Sequence, residues 1–275
     1  MPDYTRQIDE HYGRPELGDL ILHALRAAGK NPDRLDWTDL TPVDQFHTRG
    51  RDATLELAGL ARVRREDRVL DVGGGIGGAA RTLAATVGCH VTVLDLTESY
   101  TRAGEMLTER TGLGELVTFH TGNALALPFP DGRFDVVWTQ HSAMNVADKE
   151  RLYREFRRVL RPGGRFAMHE LMAGEVQPIH FPVPWASHAE ISFLQPAGTV
   201  RALVAAAGFA ELAWNDVTAP SVEWFRQRAA ASSAGPSALG LHMLIGERFG
   251  MAFWNQVRNL EEGRVAIVEA VFEAR

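Results

Sequence analysis

The sequence predicts an α/β fold, a doubly wound and mainly parallel sheet with helices on both faces. Three observations predict it. The stretch VLDVGGGIGGAAR, residues 69 to 81, runs from two apolar residues and an acid through a glycine run into an alanine-rich helical start, as a buried strand does when it enters a helix through a turn too tight for side chains. From there to residue 172, short apolar runs alternate with stretches of helical period. Acidic or small polar residues, Asp95 and Asn123 among them, stand where the apolar runs end, at the strand ends where open α/β sheets bind ligands.

The helix after the glycine run presents unpaired N–H groups and a positive dipole end to that turn, so its visitor is anionic or carries a carboxylate or hydroxyls. Glycine spacing alone leaves the ligand open. Gly73, Gly75 and Gly78 satisfy the dinucleotide pattern G-x-G-x-x-G, whereas Asp71 with Gly73, Gly75 and Gly77 satisfies D-x-G-x-G-x-G.

In chain order, residues 17 to 28 place Ile21, Ala24, Leu25 and Ala28 at helical spacing with Gly29 as a stop. A turn-rich, aromatic segment follows, and residues 51 to 63 resume a helix through Ala53, Leu57, Leu60 and Ala61. Residues 1–64 are thus expected as an N-terminal helical cap and 65–275 as the main domain, together one compact unit. After the first strand and its helix, HVTVLDLT (90 to 97) reads as a second buried strand. It ends in Asp95, about 20 residues past the glycines, where a doubly wound sheet brings an acid to a ribose diol.

A helix from Ser99 to Thr111 leads to a third strand ending at Gly122, Asn123 and Ala124, then a turn at Asp131-Gly132 and a fourth strand from Phe134 to about Gln140. Residues 148 to 160 form an amphipathic helix with Arg154, Arg157 and Arg158 outward; Pro162 and two glycines break it before strand 5. Residues 173 to 194 hold three prolines and no helical period, as expected of a lid or binding loop. A helix (199 to 207), a strand (211 to 217), helices near 222 to 231 and 249 to 260, and the strand VAIVEAVFEA complete the chain.

With 275 residues and 45% hydrophobic content, the chain can bury a full core. A net charge of -6 and no long basic run argue against binding nucleic acid or anionic lipid. The single cysteine, Cys89, excludes an internal disulfide and is expected to be a small buried residue. No apolar run is long enough to span a bilayer, and the N-terminus is too polar for a signal peptide; a soluble, cytoplasmic protein is the expectation. Ten histidines are present, but none at metal-ligand spacing, so no metal site is expected.

Taken together, the glycine turn preceded by Asp71, the acid Asp95, GNALALPFPDGRFDVVW and LRPGGRF resemble, over roughly residues 65 to 275, the class I S-adenosyl-L-methionine (AdoMet)-dependent methyltransferases. More narrowly, PVDQFHTRGRDATLELA, GCHVTVLDLTE and FDVVWTQ resemble the sarcosine/dimethylglycine N-methyltransferase branch. The resemblance implies a Rossmann-like, seven-stranded sheet whose antiparallel last strand slots between two others, a cap before it and a lid after strand 5. It also implies AdoMet contacts. Gly73, Gly75 and Gly77 lie along the methionine part, Asp71 holds the turn and the amino group, and Asp95 takes the ribose hydroxyls. Asn123 takes the adenine amino group and the Ala124 N–H a ring nitrogen, with Leu96 and Gln140 in the same set. The family more often has Asp than Asn at the adenine position, though an amide oxygen also accepts that proton.

The implied reaction is methyl transfer to a small-molecule acceptor, with an amine such as a methylated glycine leading and an O- or C-methylated secondary metabolite as the alternative. An NAD-dependent oxidoreductase, allowed by the G-x-G-x-x-G match, and a non-methylating AdoMet-binding relative complete the set. His141 and His169, after strand 4 and near the end of strand 5, are the candidate catalytic groups, since imidazole exchanges protons near neutral pH. Gln45, Phe46 and His47 in the cap, Met144, and His180, Trp185 and His188 in the lid are expected around the acceptor. Met251, Phe253 and Trp254 offer either a homo-oligomer surface or helix packing, with packing favoured.

Overall fold

The computed structural model describes residues 6–7, 11–231 and 239–275. Seven strands, β1 (Arg68–Val72), β2 (His90–Asp95), β3 (Val117–Thr121), β4 (Phe134–Gln140), β5 (Leu160–Ala173), β6 (Phe209–Asp216) and β7 (Val265–Ala274), form one sheet in the order β3-β2-β1-β4-β5-β7-β6. The first five are parallel, and β7 inserts antiparallel to both β5 and β6. The sheet and its final strand are as expected. The Pro162-Gly163-Gly164 break is absorbed as a bulge, because the β4–β5 register jumps from Phe134↔Leu160 to Val136↔Arg165.

Ten helices accompany the sheet among the described residues: α1 (Leu17–Ala27), α2 (Thr41–Asp44), α3 (Gly50–Leu60), α4 (Gly78–Val87), α5 (Glu98–Arg110), α6 (Lys149–Val159), α7 (Ala197–Ala206), α8 (Thr218–Ala231), α9 (His242–Ile245) and α10 (Phe249–Glu261). One sheet face carries Phe134, Phe166 and Phe272 against Phe156 of α6. The other carries Val69, Val91 and Trp138 against Leu57 of α3 and Leu83 of α4. Cys89 is buried there, and burial pushes its thiol up to about 11, so it is inert packing.

Two features of the cap differ from the periodicity reading. α3 stops at Leu60, earlier than the pattern continues, because Arg62 takes a left-handed conformation and the Val63 N–H turns back to the Ala58 carbonyl. This is a helix stop usually signalled by glycine. Within the segment read as turns, Asp36 accepts from the Thr38 N–H (2.8 Å) while Asp39 accepts from the Asp36 N–H (3.0 Å), and this capping box starts a 3-10 turn at Trp37–Leu40.

The cap is bolted to the glycine-turn helix. Asp44 Oδ2 accepts from Arg81 of α4 at 2.8 Å, and Arg81, 0% exposed, also donates to Thr108 Oγ1. Gly78 lies so close to the Asp44 carbonyl that a Cβ would overlap it. The expected lid, residues 173 to 194, is folded down over its own apolar cluster, with Val183, Trp185 and Ile191 packed on Phe225, Leu260 and Ile267. Of the aromatic set on α10, Phe253 packs inward whereas Met251 and Trp254 are exposed.

Candidate active site

At the carboxyl end of β1 the chain turns through Gly73, Gly75 and Gly77, all at positive φ, a conformation glycine adopts without strain. The turn is tied to β2 by the Gly73 N–H donating to the Leu94 carbonyl (2.7 Å) and the Gly75 N–H donating to Asp95 Oδ2 (2.8 Å). The other Asp95 oxygen accepts from the Thr97 N–H at 2.9 Å. A Cβ on Gly73 would overlap Ser142, whose hydroxyl donates to the Val72 carbonyl, so the two strand ends meet only because one lacks a side chain.

A cleft opens over this turn. Asp71, Gly73, Gly74, Gly75 and Ile76 line it at the end of β1, with Asp95, Leu96, Asn123 and Ala124 after β2 and β3 and Gln140 at the end of β4. Eight of the nine predicted cofactor residues are therefore on its wall. The exception is Gly77. It caps α4 and packs on Phe119, whose ring a Cβ would strike; its bareness serves helix–strand packing, and Gly74 takes its place at the cleft. Asp71 is buried with no protein partner for Oδ2. Burial, and secondarily the charge of Asp95, pushes its carboxyl up to about 7. An ammonium group would satisfy that oxygen. Asn123 Oδ1 accepts from the Leu125 N–H at 2.8 Å and keeps a lone pair for a ligand.

A second chamber adjoins the first, and Tyr12, Phe46, His47 and His141 line both. Its remaining wall is apolar: Met144, Leu171, Trp185, Trp224, Phe225 and Phe253, with Thr48 and Gln256 as polar exceptions. No Asp, Glu, Lys or Arg lines it among the described residues. The expected Phe46, His47, Met144 and Trp185 are brought together here. Tyr12, Trp224, Phe225 and Phe253 were not singled out as site residues, because aromatic residues on helices look the same in sequence whether they fill a core or face a chamber. Tyr12 is fixed by donating to Asn145 Oδ1 (3.0 Å), and Asn145 in turn donates to the Trp185 and Ile191 carbonyls.

Four expected residues lie elsewhere. Gln45 is buried beside Asp44, to which its amide donates at 2.9 Å, and is on neither wall. His180 faces α10: its N–H donates to Asn259 Oδ1 and its Nε2 lies 2.9 Å from Glu262 Oε2, so it anchors the loop. His169 is 0% exposed and on neither wall; no acceptor reaches it. His188 is exposed near Glu190.

His141 is where both cavities meet. Its backbone is left-handed, φ 51°, a costly state for a non-glycine residue. Glu170 holds it there: its buried carboxylate accepts from the N–H groups of Ser142 (3.1 Å) and Ala143 (3.2 Å), while the His141 N–H donates to the His169 carbonyl (2.9 Å). His141 Nε2 has no protein partner. Burial, then the neighbouring His47, holds its imidazole well below the usual range, so it is neutral, with Nε2 open to a hydrogen-bonding ligand. His47 is also held low by burial, at about 4, with Nε2 3.0 Å from the Gly50 carbonyl and 3.1 Å from Thr54 Oγ1. Thr54 donates to Gln140 Oε1.

No group of three or more metal-ligating side chains occurs among the described residues, and no described helix is long and apolar enough to cross a membrane. The cleft at the parallel strand ends, where open α/β sheets bind ligands, thus adjoins a chamber with no charged lining residue among the described residues. The model of a methyltransferase domain matches residues 70–168. The glycine/sarcosine/dimethylglycine N-methyltransferase of Actinopolyspora halophila is 38% identical over 135 residues, 49% of this chain and 24% of the relative's length. The ubiquinone/menaquinone biosynthesis C-methyltransferase UbiE of Enterobacter sp. (strain 638) is 30% identical over 176 residues, 62% of this chain and 68% of UbiE. The crystal structure of the [4+2]-cyclase SpnF superposes with a TM-score of 0.65 at 23% identity, covering 94% of this chain and 95% of that one, a likeness of fold. The chain belongs to the AdoMet-dependent methyltransferase family.

Proposed function

We propose that this protein moves a methyl group from AdoMet to an oxygen or carbon of an apolar small molecule, with His141 as the proton acceptor. One observation carries the choice of acceptor: the chamber that meets the cleft at His141 is walled mainly by aromatic and aliphatic side chains and, among the described residues, by no Asp, Glu, Lys or Arg. A methylated glycine would bury a carboxylate and an ammonium there without ionic partners, which costs several kcal/mol. An apolar acceptor instead gains about 25 cal/mol for each Å² it buries.

AdoMet supplies a methyl group already activated on a sulfonium. The chain's own groups bind, orient and keep the site dry. In this reading Asp71 holds the donor's amino group, Asp95 the ribose hydroxyls, and Asn123 with the Ala124 N–H the adenine. Phe46 and Tyr12, at the junction, offer aromatic faces that favour a nearby cation. Neutral His141, fixed by Glu170, takes the proton of an acceptor hydroxyl.

An amine acceptor is the second reading, favoured by the similarity to the A. halophila enzyme and by aromatic walls that suit a methylated ammonium. Labelled AdoMet offered with quinols, phenols, prenyl alcohols, sarcosine and dimethylglycine separates them. Transfer to a hydroxyl or ring carbon is expected; transfer to sarcosine or dimethylglycine alone would overturn the acceptor assignment. Calorimetry with AdoMet and NADH tests the donor, and tighter binding of NADH would overturn it. Tight AdoMet binding without transfer to any acceptor would place the protein among non-methylating relatives.

A further inference from the structure

Behind His141, beneath the cap, a polar row crosses the sheet. Gln140 of β4 pairs in register with His169 of β5, His169 with Glu269 of β7, and Glu269 with Asn215 of β6; registered partners on neighbouring strands share a face. The row begins at the cleft wall with Gln140, passes through His169 (0% exposed) and Glu269 (4%), and ends at exposed Asn215. Apolar residues would fill this interior at lower cost, since each buried polar group needs a partner. Yet Gln140 Nε2, both ring nitrogens of His169, His141 Nε2 and Glu269 Oε1 have no protein hydrogen-bond partner. The His141 and His169 rings lie 4.8 Å apart, centroid to centroid.

We propose that His141, His169 and Glu269 form, with bridging water, a relay that carries the proton released by methylation of a hydroxyl acceptor out through the sheet; the proposal rests on the methyl-transfer reading above. The balance leaves one proton to be carried away. As the acceptor oxygen bonds to the methyl carbon, the carbon–sulfur bond breaks and its electron pair stays on sulfur, turning the sulfonium into a thioether. The hydroxyl proton is left over and goes to His141 Nε2. The chamber offers it no carboxylate. His169 accepts a proton at one ring nitrogen and gives one up at the other, so it relays without storing charge. Glu269 receives it as a carboxylate and releases it toward Glu56 and solvent.

The groups facing the relay suit this direction. Arg49 at the start of α3 approaches Glu269 Oε1 at 3.6 Å and is paired with half-exposed Glu56. Glu269 is flanked by His169 from β5 and by uncharged Asn215 from β6. Burial pushes the Glu269 carboxyl up to about 7, with Arg49 opposing and Glu56 adding, which suits a group that takes and releases protons near neutrality. Burial, then His141, His47 and Arg49, holds His169 neutral.

The test uses Glu269→Gln and, to guard against a packing defect, Glu269→Asp. With histidine labelled for NMR, the His169 ring signal of the wild type is expected to inflect near neutral pH as Glu269 titrates, to lose the inflection in Glu269→Gln and to keep one in Glu269→Asp. With the best hydroxyl acceptor of the panel above, kcat should fall about tenfold or more in Glu269→Gln, with KM and AdoMet affinity unchanged. Normal AdoMet binding with a flat wild-type His169 titration, or an unchanged kcat and pH profile in Glu269→Gln, would overturn the relay alone. Failure of the wild type to bind AdoMet would instead overturn the methyl-transfer reading on which it rests.

Discussion

The cleft over the glycine turn is floored by backbone, the adjoining chamber by side chains. In the cleft, Gly73, Gly74 and Gly75 present bare main chain, and the polar side chains of Asp71, Asp95 and Asn123 stand on its wall. Such a surface is specified by a few residue types in fixed order, because positive φ and close approach admit little but glycine. The chamber is built from Tyr12, Met144, Trp185, Phe225 and Phe253, drawn from five separate stretches of chain. Its demands are volume and dryness, which many residue combinations meet. The contrast teaches why a cofactor class can be read from one motif, while the wall of the adjoining chamber emerges only in the assembled structure.

The largest effect should come from breaking the bolt between cap and cleft. Asp44→Ala leaves Arg81 charged and buried without its partner, and about 3–5 kcal/mol of stability should be lost in urea unfolding; a loss under 1 kcal/mol would show that the cap is not integral. His141→Ala should lower kcat by about 100-fold or more with AdoMet affinity intact, whereas an equal loss of affinity would assign His141 to the cleft alone.

Asp71→Asn should weaken AdoMet binding about 10- to 100-fold by calorimetry, the worth of a charge-assisted hydrogen bond. Because the Asp71 carboxyl titrates at about 7, wild-type affinity should rise as pH increases through neutrality, and the variant's should not. Stability of the ligand-free protein moves the other way. A carboxyl raised from its unfolded value of about 4 contributes stability present below that value and lost as pH rises to about 7; thermal melts of wild type and Asp71→Asn should lie together at low pH, and the wild type should fall below the variant as pH rises through neutrality. The smallest effects should separate two neighbours on α10. Phe253→Ala should raise the acceptor KM about tenfold or more through a lost wall contact, while Trp254→Ala, 69% exposed, should change stability by no more than about 0.5 kcal/mol.

Much of the donor half was legible in sequence. The spans of β4 and β7, the glycine turn, Asp95 at the end of β2 and Asn123 after β3 all follow from apolar period and punctuation, which are local properties. What stayed hidden depends on distant contacts. Gly77 matches the ligand pattern yet serves Phe119. His169 and His180 carry the right chemistry, but one lies under the cap and the other against α10. Glu170 and Glu269 read as ordinary strand acids until register sets one beneath the His141 turn and the other beside His169. Arg62 ends a helix without the glycine that would announce it.

The Asp44–Arg81 pair also bears on how such a protein can diversify. Substituting either partner alone strands a buried charge, so any lineage reaching a different residue here must cross a poorly folded intermediate or change both at once. The aromatic positions of α8 and α10 pack on one another, Phe225 on Phe253 with ring centroids 5.3 Å apart, but hold no buried charge, so exchange for another apolar residue there strands no ionic group. Mutational paths are therefore steep around the methyl donor and shallow around the acceptor, and new substrates are reached by drifting along the shallow side.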